Sequence, residues 1–247
     1  MTMKLRILGE TGPYPAPGGA TTGYLLSTEE GNVLIDCGSG VVSELLKHVE
    51  VKDIDAVIVT HHHADHTVDI PVLRYAVMIH RLHKRREEPL TIYANKEPAK
   101  DFAELPLDGH VTAEPLDAQT EVTLCGMKFT FANTVHAIPC LAVSAEYQGK
   151  RFVFSGDSGM SEELEQFAEG ADFFLCEASW LHADKGPDFI GHLTSKEVGE
   201  IGKRRHVKTL CLTHIYPDYD RSLLKAEAEE AFGREVLVAY QGDVHEI

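Results

Sequence analysis

One short segment of the chain concentrates side chains that bind metal ions. After an apolar, strand-like run come four histidines and one aspartate within six residues, in the order His61-His62-His63-Ala64-Asp65-His66. Imidazole nitrogens and carboxylate oxygens are common zinc ligands, and a loop at a strand end can turn several of them inward together. His61 and His63 are two positions apart, so an extended chain places them on one face and turns His62 away. Asp65 and His66 can then serve a second metal as the chain enters the next helix.

Three further donors, His136, Asp157 and His214, each follow another strand-like run far along the chain. Polar groups at the ends of neighbouring strands converge at one edge of a sheet, so we expect these side chains to complete the metal site. Each position taken alone has an ordinary structural alternative. A single histidine is more often a hydrogen-bonded structural residue, and an aspartate in Ser-Gly-Asp-Ser-Gly makes a good turn.

The elements that must position these donors alternate along the chain. Apolar runs separated by Pro, Gly, Asn and Asp predict strands at 4–8, 24–27, 33–36, 56–60, 90–94, 122–124, 128–133, 141–147, 151–155, 173–176, 209–213 and 236–239. Helical patterns fall between them at 41–49, 71–86, 162–168, 195–205 and 223–232. This alternation predicts an α/β layered fold, and no linker or repeat divides it, so we expect one domain over residues 1–247.

Composition excludes several classes of protein. The 247 residues carry a formal charge of −16, which disfavours broad binding to nucleic-acid phosphates. No apolar run approaches the roughly 18 residues of a membrane-spanning helix, and the N-terminal apolar stretch is short for a signal peptide. We therefore expect a soluble cytoplasmic protein that does not interact with membranes. The five cysteines include no CxxC pair, so buried free thiols are expected.

The ordered donors resemble the signature of the metallo-β-lactamase fold superfamily, whose opening strands also resemble residues 33–36 and 57–60. The resemblance implies a four-layer αββα sandwich with two divalent metal ions at one sheet edge. Zinc is the expected metal, with manganese and iron as alternatives. The resemblance assigns one metal to His61, His63 and His136, the second to Asp65, His66 and His214, and a bridging role to Asp157. The best-known β-lactamases use a cysteine ligand at the second metal where this chain has Asp157, which favours the dinuclear hydrolase branches.

Two further segments resemble ribonuclease Z. Leu175-Cys-Glu177-Ala-Ser-Trp180 is similar to its HEAT motif, with cysteine replacing the histidine, and Gly191-His192-Leu-Thr194 is similar to its HST segment, with leucine replacing the serine. The resemblance implies that His192 protonates the leaving oxygen and that Glu177 orients it. A structural alternative remains, in which His192 only caps the helix that begins near Thr194.

The expected reaction is hydrolysis of a phosphodiester by a hydroxide activated between two metals, with Asp65 both ligating and steering the hydroxide. Ribonuclease Z binds transfer RNA through a protruding arm inserted between the positions that match His136 and Asp157. Only twenty residues separate these positions here, so the arm is missing. We therefore expect a small anionic partner, a cyclic nucleotide or short oligonucleotide, and not a large nucleic acid. The alternatives are a thioester or lactone hydrolase of the same fold, then a tRNA 3′-processing endonuclease or a noncatalytic metal-binding protein.

Three other features admit two interpretations each. The predicted helix 71–86 is apolar through Ile79, which suits either the core or a contact between copies in a homodimer. Its basic end suits the negative end of the helix dipole better than a nucleic acid. The Pro/Gly segment 12–19 is either a rigid surface connection or part of the lining of the site.

Overall fold

The computed structural model describes residues 2–247 and arranges its strands in two sheets of seven. From edge to edge, the first sheet contains β14 (Val244–Glu246), β1 (Lys4–Gly9), β2 (Gly23–Thr28), β3 (Gly31–Ile35), β4 (Ala56–Val59), β5 (Leu90–Asn95) and β6 (Val111–Leu116). The second contains β13 (Leu237–Val238), β12 (Thr209–Thr213), β11 (Phe173–Glu177), β10 (Lys150–Phe154), β9 (Leu141–Tyr147), β8 (Met127–Asn133) and β7 (Glu121–Leu124). The helices are α1 (Val41–Leu45), α2 (Ala64–Thr67), α3 (Ile70–Leu82), α4 (Ala99–Ala103), α5 (Glu162–Phe167), α6 (Ser195–Arg204) and α7 (Arg221–Phe232), with a 3-10 turn at Val51–Asp53.

Alternating side chains along the strands build the layers. On β2, Leu26 points between the sheets and packs in one cluster with Phe154 of β10, while its neighbour Leu25 packs outward against α1 and α3. On β10, Phe154 points inward and Val153 packs outward with residues of α6 and α7. A period of two therefore gives each sheet two buried faces. The result is the αββα sandwich that the sequence resemblance implied.

The parallel strands bring the polar residues together. β3 and β4 pair in parallel in the first sheet, and β10, β11 and β12 do so in the second. Parallel strands have their carboxyl ends at the same edge of a sheet. The segments that follow β4, β8, β10, β11 and β12 therefore meet at one end of the sandwich.

The basic end of the predicted helix 71–86 differs from expectation. α3 ends at Leu82, and the chain turns at Lys84, whose φ is 55°. Arg86 leaves the helix and is buried, and its guanidinium donates hydrogen bonds to the carbonyls of Val51 at 3.1 Å and Ile54 at 2.7 Å. The guanidinium of Arg86 thus satisfies backbone carbonyls of the segment before β4 and not those at the end of α3.

Some elements lacked a clear sequence signal. β6 contains the pair Glu114-Pro115, which disfavours a strand, and β14 has three residues; both are defined by pairing with β5 and β1. α1 is shorter than predicted and ends at Leu45. The cysteines are free and buried as expected, apart from the partly exposed Cys125. Among residues 2–247, no helix combines the length and the apolar character needed to cross a membrane.

Candidate metal centre

The end of β4 places the histidine-rich loop. All four residues of this strand are buried, and Asp36, just after β3, accepts hydrogen bonds from the backbone N–H and the hydroxyl of Thr60, both at 2.8 Å. These bonds fix the point where the strand ends, so His61 begins the loop with its side chain completely buried. His62 turns away as predicted, and its Nε2–H donates to the carbonyl of Asn95 at 2.8 Å.

The first group of donors contains three histidines and one carboxylate. Nε2 of His61 and Nε2 of His136 each lie 3.0 Å from Nδ1 of His63. Oδ2 of Asp157 lies 3.6 Å from Nε2 of His61 and 3.8 Å from Nε2 of His136. The four donor atoms therefore lie around one common point, as the resemblance implied.

The second group adjoins the first through the same carboxylate. Oδ2 of Asp65 lies 3.1 Å from Nε2 of His214 and 3.7 Å from Nε2 of His66. Oδ1 of Asp157 lies 3.4 Å from Nε2 of His66, and its Oδ2 lies 3.4 Å from Nε2 of His214. Asp157 therefore borders both groups, where a bridging ligand would have to be.

The spacing and chemistry of the donors fit divalent metal ions. Zinc bonds of about 2.0–2.1 Å in a tetrahedral site separate neighbouring ligand atoms by roughly 3.3 Å. The donor-to-donor distances of 3.0 to 3.8 Å bracket that value. Within residues 2–247, Oδ1 of Asp157 is buried and has no hydrogen-bond partner. A buried carboxylate oxygen without a partner is costly, and a cation would satisfy it.

Hydrogen bonds on the outer side of the rings point the donor atoms inward. Nδ1–H of His66 donates to Oδ2 of Asp36 at 2.8 Å, and Nδ1–H of His136 donates to the carbonyl of Gly191 at 2.9 Å. Each bond fixes the ring so that the lone pair of Nε2 faces the donor cluster. Such outer contacts orient metal-binding histidines and raise their basicity.

Asp36 and Asp157 also set the charge of the cluster. Burial lowers the pKa of His66, but the carboxylates of Asp157 and Asp36 outweigh burial and hold that pKa well above its usual range. Burial, reinforced by neighbouring imidazoles, holds the pKa of His61 well below its usual range, so this ring is neutral. A neutral imidazole is the form that binds a metal ion.

A second hydrogen-bonded chain runs from the donor cluster to His192. Nδ1–H of His214 donates to Oγ of Ser179 at 2.9 Å, and the Ser179 hydroxyl donates to Oε2 of Glu177 at 2.7 Å. Oε1 of Glu177 accepts from Nδ1–H of His192 at 2.9 Å and from the backbone N–H of Ser158 at 2.8 Å. Burial lowers the pKa of His192, but the carboxylate of Glu177 outweighs it and raises the pKa to about 9. His192 is therefore protonated at neutral pH.

Two glycines allow the backbone to approach the site closely. A Cβ atom on Gly12 would lie 2.1 Å from Nε2 of His214, and a Cβ on Gly38 would lie 1.9 Å from the carbonyl oxygen of Asp65. Both distances are far inside van der Waals contact. Any side chain at either position would displace a residue of the donor cluster, so glycine is required there.

The structure brings all nine predicted site residues to one end of the sandwich: His61, His63, Asp65, His66, His136, Asp157, Glu177, His192 and His214. The capping alternative for His192 is wrong, because Thr194 caps α6 with a complete capping box. Sequence reasoning assigned no role to Asp36 or Ser179. The position of Asp36 directly after a buried strand was the available signal, whereas the sequence carries no sign of the bond between Ser179 and His214.

Two adjoining His/Asp groups at the strand ends of an αββα sandwich define the class of the metallo-β-lactamase fold. The family model described as "Beta-lactamase superfamily domain" matches residues 31–215. The chain belongs to this superfamily.

Similar proteins agree with this assignment. The chain is 31% identical to the probable metallo-hydrolase YhfI of Bacillus subtilis over 244 residues, covering 99% of this chain and all of that one. The crystal structure of YhfI matches with a TM-score of 0.96 over the whole of both chains. A ribonuclease Z of Natronomonas pharaonis is 23% identical, covering 100% of this chain and 98% of the relative. A diphosphatase of the PhnP family shares the fold, with a TM-score of 0.77, 18% identity, and coverage of 99% and 98% of the two chains.

Proposed function

We propose that this protein is a dinuclear metal-dependent phosphodiesterase that acts on a small phosphodiester, such as a cyclic nucleotide or a short oligonucleotide. The observation that carries the proposal is the pair of His192 and Glu177, whose Nδ1-to-Oε1 distance is 2.9 Å, next to the donor cluster. A phosphodiester with an alkoxide leaving group needs a proton donor, whereas a thioester does not, because a thiolate leaves readily.

The donor set supports two divalent ions, of which zinc suits the mixture of imidazole and carboxylate best. Manganese and iron bind the same ligands, so the availability of each metal in the cell decides which of the three is bound. His61, His63 and His136 would hold one ion, Asp65, His66 and His214 the other, and Asp157 would contact both. Bound there, the ions would supply Lewis acidity toward a phosphoryl oxygen and would lower the pKa of a water molecule.

The remaining steps belong to side chains of the chain itself. Nε2–H of the protonated His192 gives its proton to the leaving oxygen as the ester bond breaks. Glu177 keeps Nδ1–H of His192 engaged at 2.9 Å, which holds the ring in place and stabilises its charge before the transfer. Asp65, whose Oδ2 lies 3.1 Å from Nε2 of His214, accepts a hydrogen bond from the attacking water and orients it.

The connection between His136 and Asp157 argues for a small substrate. β9 and β10 form a hairpin joined at residues 148–149, so this interval has no room for a protruding arm that could grip a transfer RNA. The formal charge of −16 also opposes a long polyanion. Both observations favour a compact substrate over a folded RNA.

The test compares two leaving groups. Purified protein with its metal content measured is given a dinucleoside monophosphate, whose leaving group is an alkoxide, and bis(p-nitrophenyl) phosphate, whose leaving group departs without a proton. His192→Ala should lower kcat on the dinucleoside monophosphate by about 100- to 10,000-fold, and it should lower kcat on the nitrophenyl ester far less. Two metal ions per chain should remain.

His83→Ala, a change at an exposed histidine after α3, is the matched control and should leave both rates unchanged. Turnover of thioesters or lactones by a fully metal-loaded protein that is inert on both phosphodiesters would contradict the proposal.

A further inference from the structure

The cleft beside the metal centre has two arms that meet at His63 and His192. The first arm has a volume of about 540 Å³ and is bordered by Trp180 and Tyr216. The second has a volume of about 330 Å³ and is bordered by Val135 and Ile190. Phe189 borders both arms and so stands between them. A phosphodiester carries two ester substituents. If its phosphate lay where the two arms meet, one substituent would lie in each arm.

The first arm has a wall of aromatic rings. The rings of Trp180 and Phe189 meet edge to face, with 5.1 Å between their centroids and 65° between their planes. Phe189 keeps 51% of its surface exposed, although its ring borders both arms. An exposed aromatic face in a cleft is the usual platform on which a nucleobase stacks, because every base offers a π face.

Apart from the histidines of the site, the walls of both arms lack cationic side chains. Of the residues described along them, none is Lys or Arg. Acidic groups lie at the edges: Asp188 borders the second arm, and Asp218 accepts a hydrogen bond from Tyr14, whose ring packs edge to face on Tyr216. A phosphate bound along either arm, away from the site histidines, would therefore meet acidic and apolar groups and no lysine or arginine.

We infer that this cleft selects a phosphodiester that carries a single negative charge and a nucleobase, with Trp180 and Phe189 as the platform for the base. The inference rests on the proposed function and narrows its range of substrates. It excludes a longer oligonucleotide and a substrate with a terminal phosphate, because both carry further negative charges. Trp180 and Phe189 determine specificity and take no part in the bond-breaking step.

The charge half of the inference is tested with a matched pair, a dinucleoside monophosphate and the same compound carrying a 5′-phosphate. The singly charged compound should have a kcat/KM at least about 10-fold higher. Asp188→Lys should raise kcat/KM more for the 5′-phosphorylated compound than for the other, so the ratio between the two compounds should fall. Equal kcat/KM for the two compounds in the unmodified protein would overturn the charge selection.

The platform half is tested with Phe189→Leu, which keeps an apolar side chain and removes the flat ring, and with Phe189→Trp, which restores a ring. Phe189→Leu should raise KM for the dinucleoside monophosphate about 5-fold or more, with kcat nearly unchanged, and Phe189→Trp should recover it. Trp180→Ala should act in the same direction. Tyr75→Ala, which removes an exposed ring on α3, is the control and should have no effect.

Failure of the inference and failure of the proposed function give different results. If the protein hydrolyses bis(p-nitrophenyl) phosphate and the dinucleoside monophosphate, but Phe189→Leu leaves KM unchanged, the platform is wrong and the phosphodiesterase proposal stands. If the metal-loaded protein hydrolyses neither compound, the proposed function fails, and the inference falls with it.

Discussion

The first sheet supplies four donors from one six-residue segment after β4, which runs into α2, whereas the second sheet supplies one donor each from the segments after β8, β10 and β12. The six-residue segment is fixed locally, by a buried strand and by Asp36. The donors of the second sheet reach the site only because the strands from β8 to β12 lie in the correct register. The same metal centre therefore depends on local geometry on one side and on the packing of the whole sheet on the other. Asp157 connects the two sides.

The largest effect should follow from Asp157→Ala, because this carboxylate borders both groups of donors. We expect both ions to be lost and turnover to fall by roughly 1,000-fold or more. Elemental analysis and steady-state rates measure these two quantities. Asp108→Ala, at an exposed position, is the control. If Asp157→Ala kept two ions per chain, the two groups of donors would bind their ions without this shared carboxylate.

A smaller effect should follow from Asp36→Asn, on the side of the first sheet. The substitution weakens the bond to Nδ1–H of His66 and the two bonds from Thr60, so metal affinity should fall about 10- to 100-fold. Competition with a chelator measures the affinity. Ser179→Ala, which frees the outer side of His214, is the matched change on the second side. A loss for Ser179→Ala that exceeds the loss for Asp36→Asn would reverse the comparison.

The alkaline limb of the pH dependence should report on the second side. His192 donates a proton only while it is protonated, and its pKa is raised to about 9 against the opposing effect of burial. Activity should therefore persist through neutral pH and fall as the pH rises toward 9, with bound cations moving this limb to a lower pH. Glu177→Gln removes the charge that raises the pKa, so the limb should move to lower pH still. An alkaline limb at the same pH in both proteins would contradict the role of Glu177.

The smallest effect on activity should come from the outer surface of α3. Tyr75, Ile79 and Leu82 lie along one side of this helix and are 63%, 46% and 63% exposed. We propose that this surface is the contact between copies, one of the two interpretations of the helix. A homodimer formed through it should dissociate in Tyr75→Glu, as measured by sedimentation, with turnover within about 2-fold. Unchanged sedimentation of the variant would contradict this interface.

The two sides also differ in how far the sequence predicts them. His61, His63, Asp65 and His66 share one short segment, so their spacing alone indicates a metal site. The donors of the second sheet carry no such local pattern, and their assignment depended on the resemblance and on the order of the residues. The layered α/β class followed from the alternation of elements, while the αββα arrangement came with the resemblance.

Contacts between distant parts of the chain were beyond sequence reasoning. Ser179 and His214 are 35 residues apart in sequence, and their bond exists because β11 and β12 end side by side. The sequence predicted Arg86 at the end of a helix. In the folded chain its guanidinium instead donates hydrogen bonds to the carbonyls of Val51 and Ile54, which lie more than 30 residues earlier in the sequence. Both sets of contacts depend on tertiary packing, which cannot be predicted from local sequence propensity.

The close approach of Gly12 to His214 has a consequence for how substitutions in this protein should be read. A saturation screen that scores every amino acid at every position would find Gly12 as intolerant as the metal-binding residues, although it has no side chain to contribute. Even alanine, the smallest replacement, would push its methyl group into the imidazole 2.1 Å away. Position 12 would thus be identified as essential because the imidazole of His214 occupies the space that a side chain would need.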